Sequence, residues 1–422
     1  MSNNKKKSKK NSSASSIRLQ PRNENYRRVR ADAGGAAVIQ KAPAKQKAKK
    51  KTWVRSGFDY SLFTIVMILL AFGIIMMFSA SYANAFSEYG DSMYYLKRQS
   101  FFAVGGLVIM MILSTIDYHI FQAKPIVYGI VAVSAGLMAA VKLIGTTQGG
   151  AERWLQIGEI TFQPSEILKL AVIIFFAYFA EKQFEKLREF KKGFLPLALA
   201  LMISCGLLMM QPHLSGTIIV FAIGFSMMFV AGVNLKHLFI MLGGLLVFLV
   251  IAITLLNAMG IDYFSARWES FVDPESDVSN KTFQTYQSLV TIGSGGMFGL
   301  GFGNSRQKYG YMPMSRNDFI FSIICEELGF VGAALVILLF VIFVWRGFYV
   351  CSRARDKFGM MLAFGITFQI GLQALLNIAV VTNSIPNTGI SLPFFSYGGT
   401  ALVMQMAEMG ILLSVSRKAA LE

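Results

Sequence analysis

Three alternating carboxylates, Asp273, Glu275 and Asp277, sit inside a polar interval from Ile261 to Asp318 that interrupts an otherwise hydrophobic chain. On extended backbone, residues two apart face the same side, so these acids would crowd one another. Like-charge crowding or partial burial lifts an Asp from its ordinary pKa of about 3.9 toward values useful to a general base at neutral pH. The same oxygens also suit a hard divalent cation such as Mg2+ or Mn2+, and an ordinary solvated acidic turn is the plain alternative. A Gly-rich run, Gly293 to Gly303, follows. Its backbone N–H groups could approach phosphates, but it lacks the Walker lysine, and such runs are more often simple flexible or tight loops.

A second group of ionisable residues lies within apolar sequence, where insertion costs about 2.5 to 3.5 kcal/mol at a helix centre, so each calls for a partner or a task. Glu166 and Lys169 share one helix face and can neutralise each other, as a structural ion pair or as substrate contacts. Glu326 and Glu327 fall two turns inside a helix opened by Asp318, and Glu408 lies in the last apolar segment. His213, in QPHLSGT, reads as a hydrogen-bonded structural residue, because neither other histidine is near it in sequence. Cys205, Cys325 and Cys351 are odd in number and lie in or beside apolar segments, which suggests no disulfide framework.

The elements that must position these residues are membrane helices. Of 422 residues, 54% are hydrophobic and 15% charged, the balance of a membrane protein. A bilayer crossing needs roughly 20 apolar residues, and ten segments qualify, centred near Met67, Leu107, Val133, Ile173, Leu201, Phe225, Leu245, Leu335, Phe368 and Val403. The expectation is an all-α polytopic membrane protein with ten transmembrane helices in residues 58–417 and a large extracellular loop, 261–317, between helices 7 and 8. The first segment is too long for a signal peptide and lacks its cleavage pattern, so it should stay in the mature protein.

Residues 1–57 carry 17 Lys and Arg against Glu24 and Asp32, or +15 of the net +17. So basic and apolar-poor a segment should be a disordered cytoplasmic tail attracted to anionic lipid heads. No nucleic-acid-binding module accompanies it, and nucleic acid is not an expected partner. Short connections rich in Lys and Arg at 181–192, 233–236 and 346–357, with Arg417 and Lys418, belong on the cytoplasmic side with both termini, including 418–422. The long loop is then outside, its five cations (Arg267, Lys281, Arg306, Lys308, Arg316) balanced by five acids.

Several long motifs then occur in order: FSASYA (78–83), KRQ (97–99), GGAERWLQIGEITFQPSEILKL (149–170), DPESD (273–277), YQSLVTIGSGGMFGLGFGNSRQK (286–308), DFIFSIICEELG (318–329) and NTGISLPFFSYGGT (387–400). From Asp59 to Arg417 the chain resembles the SEDS proteins, FtsW, RodA and SpoVE, and is most similar to the FtsW and SpoVE branch. The resemblance implies ten transmembrane helices and a peptidoglycan glycosyltransferase that polymerises lipid II at the outer face of the bacterial cytoplasmic membrane. It implies work at the division septum with a class B penicillin-binding transpeptidase and other division-complex membrane proteins. No organic cofactor is implied.

The family's essential loop carboxylate aligns with Asp277, with Asp273 in reserve. Glu166 and Lys169 carry over from QPSEILKL, Arg153 and Trp154 from the RW motif, and Asp318 is retained. There are departures: His213 stands where an acid is usual, Ser215 replaces Gly, and Met314, Arg316 and Asn317 replace Glu, His and Thr. Ser391 and Thr400 are milder changes.

On this reading Asp277 deprotonates the 4-hydroxyl of the acceptor GlcNAc as it attacks C1 of the donor MurNAc, inverting it to a β-1,4 linkage as undecaprenyl pyrophosphate leaves. Arg153, Arg267 and Lys308, or a divalent cation, would counter the leaving charge, and a lipid-facing groove would admit the prenyl tails. A lipid II flippase using Glu166, Lys169, Glu326 and Glu327 as a polar path is the competing reading, and a division scaffold is a third.

Overall fold

The computed structural model describes residues 58–419 except 149–150, 159, 212, 259–262, 279–281 and 313. The basic tail therefore lies outside the described residues, as do parts of the long loop and residues 420–422. Twelve α-helices are described: α1 Tyr60–Tyr89, α2 Tyr94–Thr115, α3 Lys124–Ile144, α4 Pro164–Lys182, α5 Leu195–Met209, α6 Leu214–Ala231, α7 Leu235–Ala258, α8 Tyr263–Val272, α9 Phe283–Ser294, α10 Ile320–Arg353, α11 Lys357–Val381 and α12 Gly399–Lys418. Each of the ten apolar centres falls inside one of them.

Eight of these helices are long and apolar enough to cross a membrane among the described residues: α1, α2, α3, α5, α6, α10, α11 and α12. In α4 the charges of Glu166, Lys169, Glu181 and Lys182 interrupt the apolar run, and α7 contributes the shorter apolar stretch Leu235–Val247 among the described residues. The chain is thus a polytopic helical membrane protein.

Local chemistry explains several helix ends. Asp59 opens α1 by accepting the Leu62 N–H at 3.1 Å and binds Arg346 at 3.0 Å, while Gly90 closes it in the left-handed conformation at φ 70°. Pro164 and Pro196 occupy first turns, where the missing N–H costs nothing. The bundle is apolar almost all round, because one set of faces meets lipid and the other the core. Within it α2 packs on α12, α10 on α11 and α3 on α4.

Two features depart from a simple helical bundle. Between α3 and α4 the chain folds into an antiparallel sheet, β1 Thr146–Gln148, β2 Ala151–Ile157 and β3 Ile160–Phe162, with Leu155 opposite Phe162 and Gln156 opposite Thr161. The sheet is a small insertion in an otherwise all-helical fold: alternation in LQI and in ITF suits extended strands, and Gly158 at φ 64° lies between them.

The second feature is a break in α10 at Gly329, whose φ 66° and ψ −167° are open only to glycine. The Gly-rich run fills the break. Leu300 and Gly301 donate to the Glu326 and Glu327 carbonyls at 2.9 and 3.0 Å, and Phe330 donates to Gly296 at 2.9 Å. A Cβ on Gly329 would lie 2.3 Å from the Gly299 nitrogen. The long interval is therefore built, with α8, α9 and a strap on α10, rather than structureless.

Candidate active site

A cavity of about 640 Å³ opens at one end of the bundle, among the N-terminal ends of α4, α6, α10 and α12 and the connection that follows α11. Strand β2 contributes Arg153 and Trp154, the start of α4 contributes Gln163, Ser165, Glu166 and Lys169, and α8 contributes Arg267. The segment before α10 adds Arg316, Asn317 and Asp318. Residues separated by up to 252 positions, Arg153 to Gln405, thus share one wall system.

The charges are arranged in linked groups. Glu166 holds Lys169 at 2.8 Å, both nearly sealed from solvent, and Lys169 also donates to Gln373 Oε1 at 3.1 Å. Gln373 in turn donates to Ser391 at 3.1 Å, tying α4 through α11 to the connection before α12. The Asn377 amide donates to the carbonyls of Asp318 and Ile390 at 2.7 and 2.6 Å and so fixes two wall segments at once. Arg267 donates to the Asn387 carbonyl, and the Arg316 guanidinium lies 4.1 Å from the Tyr95 ring centroid and 3.3 Å from Glu88.

Asp318 is half-buried in the wall. Burial pushes its carboxyl up to about 6, while the positive charges of Arg153 and Arg267 pull the other way. Gly389, at φ 67°, lets the backbone come close: a Cβ there would lie 3.3 Å from Asp318 Oδ2. His213 caps α6, accepting the Gly216 N–H on Nδ1 at 2.8 Å. Burial, with Arg153 and Lys169 adding to it, drives its pKa down to about 3, so the imidazole is neutral. Ser165 Oγ, Asn317 Oδ1 and Thr388 Oγ1 are buried cavity-lining atoms with no hydrogen-bond partner in the protein. Since buried polar atoms are normally satisfied, they mark unused capacity for a polar ligand.

The sequence model for the family FTSW_RODA_SPOVE, cell cycle protein, matches residues 59–421. The chain belongs to the FtsW, RodA and SpoVE family. It is 36% identical over 371 residues to the probable peptidoglycan glycosyltransferase FtsW of Geobacter sp. (strain M18), a match covering 86% of this chain and 97% of that one. It is 37% identical over 369 residues to stage V sporulation protein E of Bacillus subtilis (strain 168), covering 87% and 99%.

Two solved structures share the fold. One, described as "Structural coordination of polymerization and crosslinking by a peptidoglycan synthase complex", aligns at TM-score 0.69 and 26% identity over 85% of this chain and 98% of that one. The other, the rod shape determining protein RodA of Thermus thermophilus, aligns at TM-score 0.62 and 25% identity over 86% and 98%.

Within this FtsW, RodA and SpoVE fold, six of the site residues expected from sequence line the cavity: Arg153, Trp154, Glu166, Lys169, Arg267 and Asp318. Asp277 does not. It is half-buried on the turn after α8, in the stretch of sequence between Arg267 and Gln284, both of which do line the cavity. Asp273 is exposed on the same turn and accepts the Glu275 N–H at 3.2 Å. Among the described residues, no three His, Cys, Asp or Glu side chains converge as they would around a metal ion.

Lys308 is a correction. Expected to face phosphates, it is fully buried with its ammonium 2.8 Å from Glu327, and it also donates to the Gly303 carbonyl at 2.7 Å. Glu326 and Glu327 are likewise taken up away from the cavity: Glu326 accepts the Arg306 N–H at 3.1 Å and Glu327 the hydroxyl of Ser79 on α1 at 2.6 Å. Neither lines the cavity, so they do not extend Glu166 and Lys169 into a polar path. The sequence reading missed Gln163, Gln373, Asn377 and Asn387, amides in apolar or loop sequence whose partners are remote in the chain. Their one local signal is a carboxamide placed beside a Pro or inside a membrane segment, where it needs a partner.

Proposed function

We propose that this protein is a peptidoglycan glycosyltransferase that polymerises lipid II into β-1,4 glycan strands at the outer face of the bacterial cytoplasmic membrane during cell division. It crosses the membrane ten times with both termini cytoplasmic, α4 and α7 completing the count, and works with a class B penicillin-binding transpeptidase at the septum. The observation that carries this reading is the single cavity in which Arg153, Arg267, Lys169 and Arg316 meet Asp318 and unpartnered polar atoms. Such a site suits a ligand that is both anionic and rich in hydroxyls. The Lys and Arg-rich connections lie at the opposite helix ends, which supports an outward-facing cavity.

In this reaction Asp277 takes the proton of the acceptor's 4-hydroxyl as that oxygen attacks C1 of the lipid-linked donor. The C1–O bond to undecaprenyl pyrophosphate breaks with inversion. A positioned base contributes about 10² to 10⁴-fold. The remainder comes from alignment and from cations facing the departing pyrophosphate, for which Arg153 and Arg267 are placed on opposite sequence elements of one wall. Asp318, whose carboxyl feels the charges of both guanidiniums, lowers the net positive charge around them. Among the described residues no cluster of His, Cys, Asp or Glu would hold a divalent cation, so Mg2+ or Mn2+ would only add positive charge to that of Arg153 and Arg267, a contribution that loss of activity on chelation and recovery on adding the ion would test.

The deciding experiment supplies lipid II to the purified protein with its transpeptidase partner. Wild type should yield glycan strands, and Asp277→Asn should yield none while melting normally. Full-length strands from Asp277→Asn would remove Asp277 from the base role.

A further inference from the structure

Gln163 and His213 line the cavity together, with one end of the Gln163 amide, Nε2, 2.9 Å from His213 Nε2. The other imidazole nitrogen decides what this contact is. Nδ1 accepts the Gly216 backbone N–H at 2.8 Å, so it carries no hydrogen. A Cβ at residue 216 would sit 2.0 Å from Nδ1, so the cap depends on glycine there. A neutral imidazole with a bare Nδ1 must hold its proton on Nε2. Nε2–H is then the donor, and the atom facing it must be an acceptor.

The two ends of a glutamine amide look alike in position, and the hydrogen-bond network assigns them. The network here turns the amide over: Oε1 faces His213 and the N–H2 group faces away from it.

We infer that His213 locks the Gln163 carboxamide with its N–H2 toward the cavity, making Gln163 a hydrogen-bond donor to a substrate oxygen and His213 its positioning residue. The inference rests on the reading of the cavity as the lipid II site. The bound atom is an acceptor oxygen of the lipid-linked saccharide or its pyrophosphate. Ser165, two residues from Gln163 at the same helix start and 4% exposed, adds an unpartnered hydroxyl to this wall.

Two readouts test it. Nitrogen-15 NMR of histidine-labelled, full-length protein in lipid nanodiscs, with His213→Asn used to identify the signal, should give His213 as the Nε2–H tautomer at pH 7. An Nδ1–H tautomer overturns the lock. In lipid II polymerisation with the transpeptidase partner, Gln163→Glu still accepts from the imidazole but turns an oxygen toward the substrate. Its KM for lipid II should rise about tenfold, with kcat changed less.

His213→Asn keeps an oxygen for the Gly216 N–H but is too short to reach Gln163, so KM should rise roughly fivefold at an unchanged melting temperature. Adding it to Gln163→Leu should change nothing further. Wild-type KM in Gln163→Glu, or additive losses in the double variant, overturns the proposal. A wild-type protein that neither binds nor polymerises lipid II sinks the function and the substrate half together, while the tautomer is still decided by the spectrum.

Discussion

The Lys308 ammonium lies 2.8 Å from a Glu327 carboxylate oxygen, and neither side chain has any solvent exposure. Ser79 of α1 donates to the same carboxylate at 2.6 Å, and Lys308 reaches the Gly303 carbonyl. One buried ion pair therefore joins α1, α10 and the Gly-rich strap, while the cavity draws on other charges.

Breaking such a pair from one side leaves an uncompensated buried charge, at a cost of about 3 to 5 kcal/mol. Lys308→Met should accordingly lower the melting temperature in detergent sharply, and Lys308→Met combined with Glu327→Gln should recover more than half of the loss. Equal melting of Lys308→Met and wild type would show the pair to be dispensable.

Asp318 should show activity and stability pulling apart. Its carboxyl is raised from 3.8 to about 6, so burial of the charge is a destabilisation fully present above pH 6 and relieved as pH falls through 6 toward 3.8. Asp318→Asn should therefore be more stable than wild type at pH 8, by on the order of 2 kcal/mol, with the advantage vanishing below about pH 4. Glycan synthesis should drop at pH 8 in the same variant. Melting curves of the two proteins at pH 8 and pH 5 check the sign.

Glu166 and Lys169 are both a structural pair and two walls of the cavity, and a double substitution separates these roles. Lys169→Gln alone should lower stability, because Glu166 at 2.8 Å loses its counter-charge. Glu166→Gln with Lys169→Gln should restore the melting temperature yet stay at least tenfold down in lipid II polymerisation. Full activity in the double variant would reduce the pair to scaffolding.

Gly329→Ala tests the break in α10. The φ of 66° with ψ −167° costs a non-glycine residue about 1 to 3 kcal/mol. The added Cβ also meets the Met297 carbonyl oxygen at 2.5 Å. The variant should be poorly folded, judged by its yield of monodisperse protein on size-exclusion chromatography. Alanine at Gly129, where a Cβ meets nothing within 4 Å, is the control.

The helices were legible because apolar runs of bilayer length have few other solutions in lipid. All ten centres read from sequence fall within helices. Glu166 and Lys169 were legible as a pair because helix geometry brings residues three apart together. Lys308 was misread because its partner Glu327 is 19 positions away across a turn, and sequence distance hides such pairings. The sheet at 146–162 was missed for a different reason: short alternating strands carry a weak signal beside membrane helices. Asp277 and Asp318 look alike in sequence, and only the packing of α8 and α10 puts one on a turn and the other in the cavity wall.

The cavity's contributors run from Arg153 to Gln405, and Ala401, Leu402 and Gln405 of α12 close the wall that β2 begins. During biosynthesis, then, the final wall segment is missing until α12 has emerged and left the translocon. Nascent chains and products of premature stop codons ahead of α12 have no assembled pocket, so a truncated copy would compete for membrane space and partners without handling substrate.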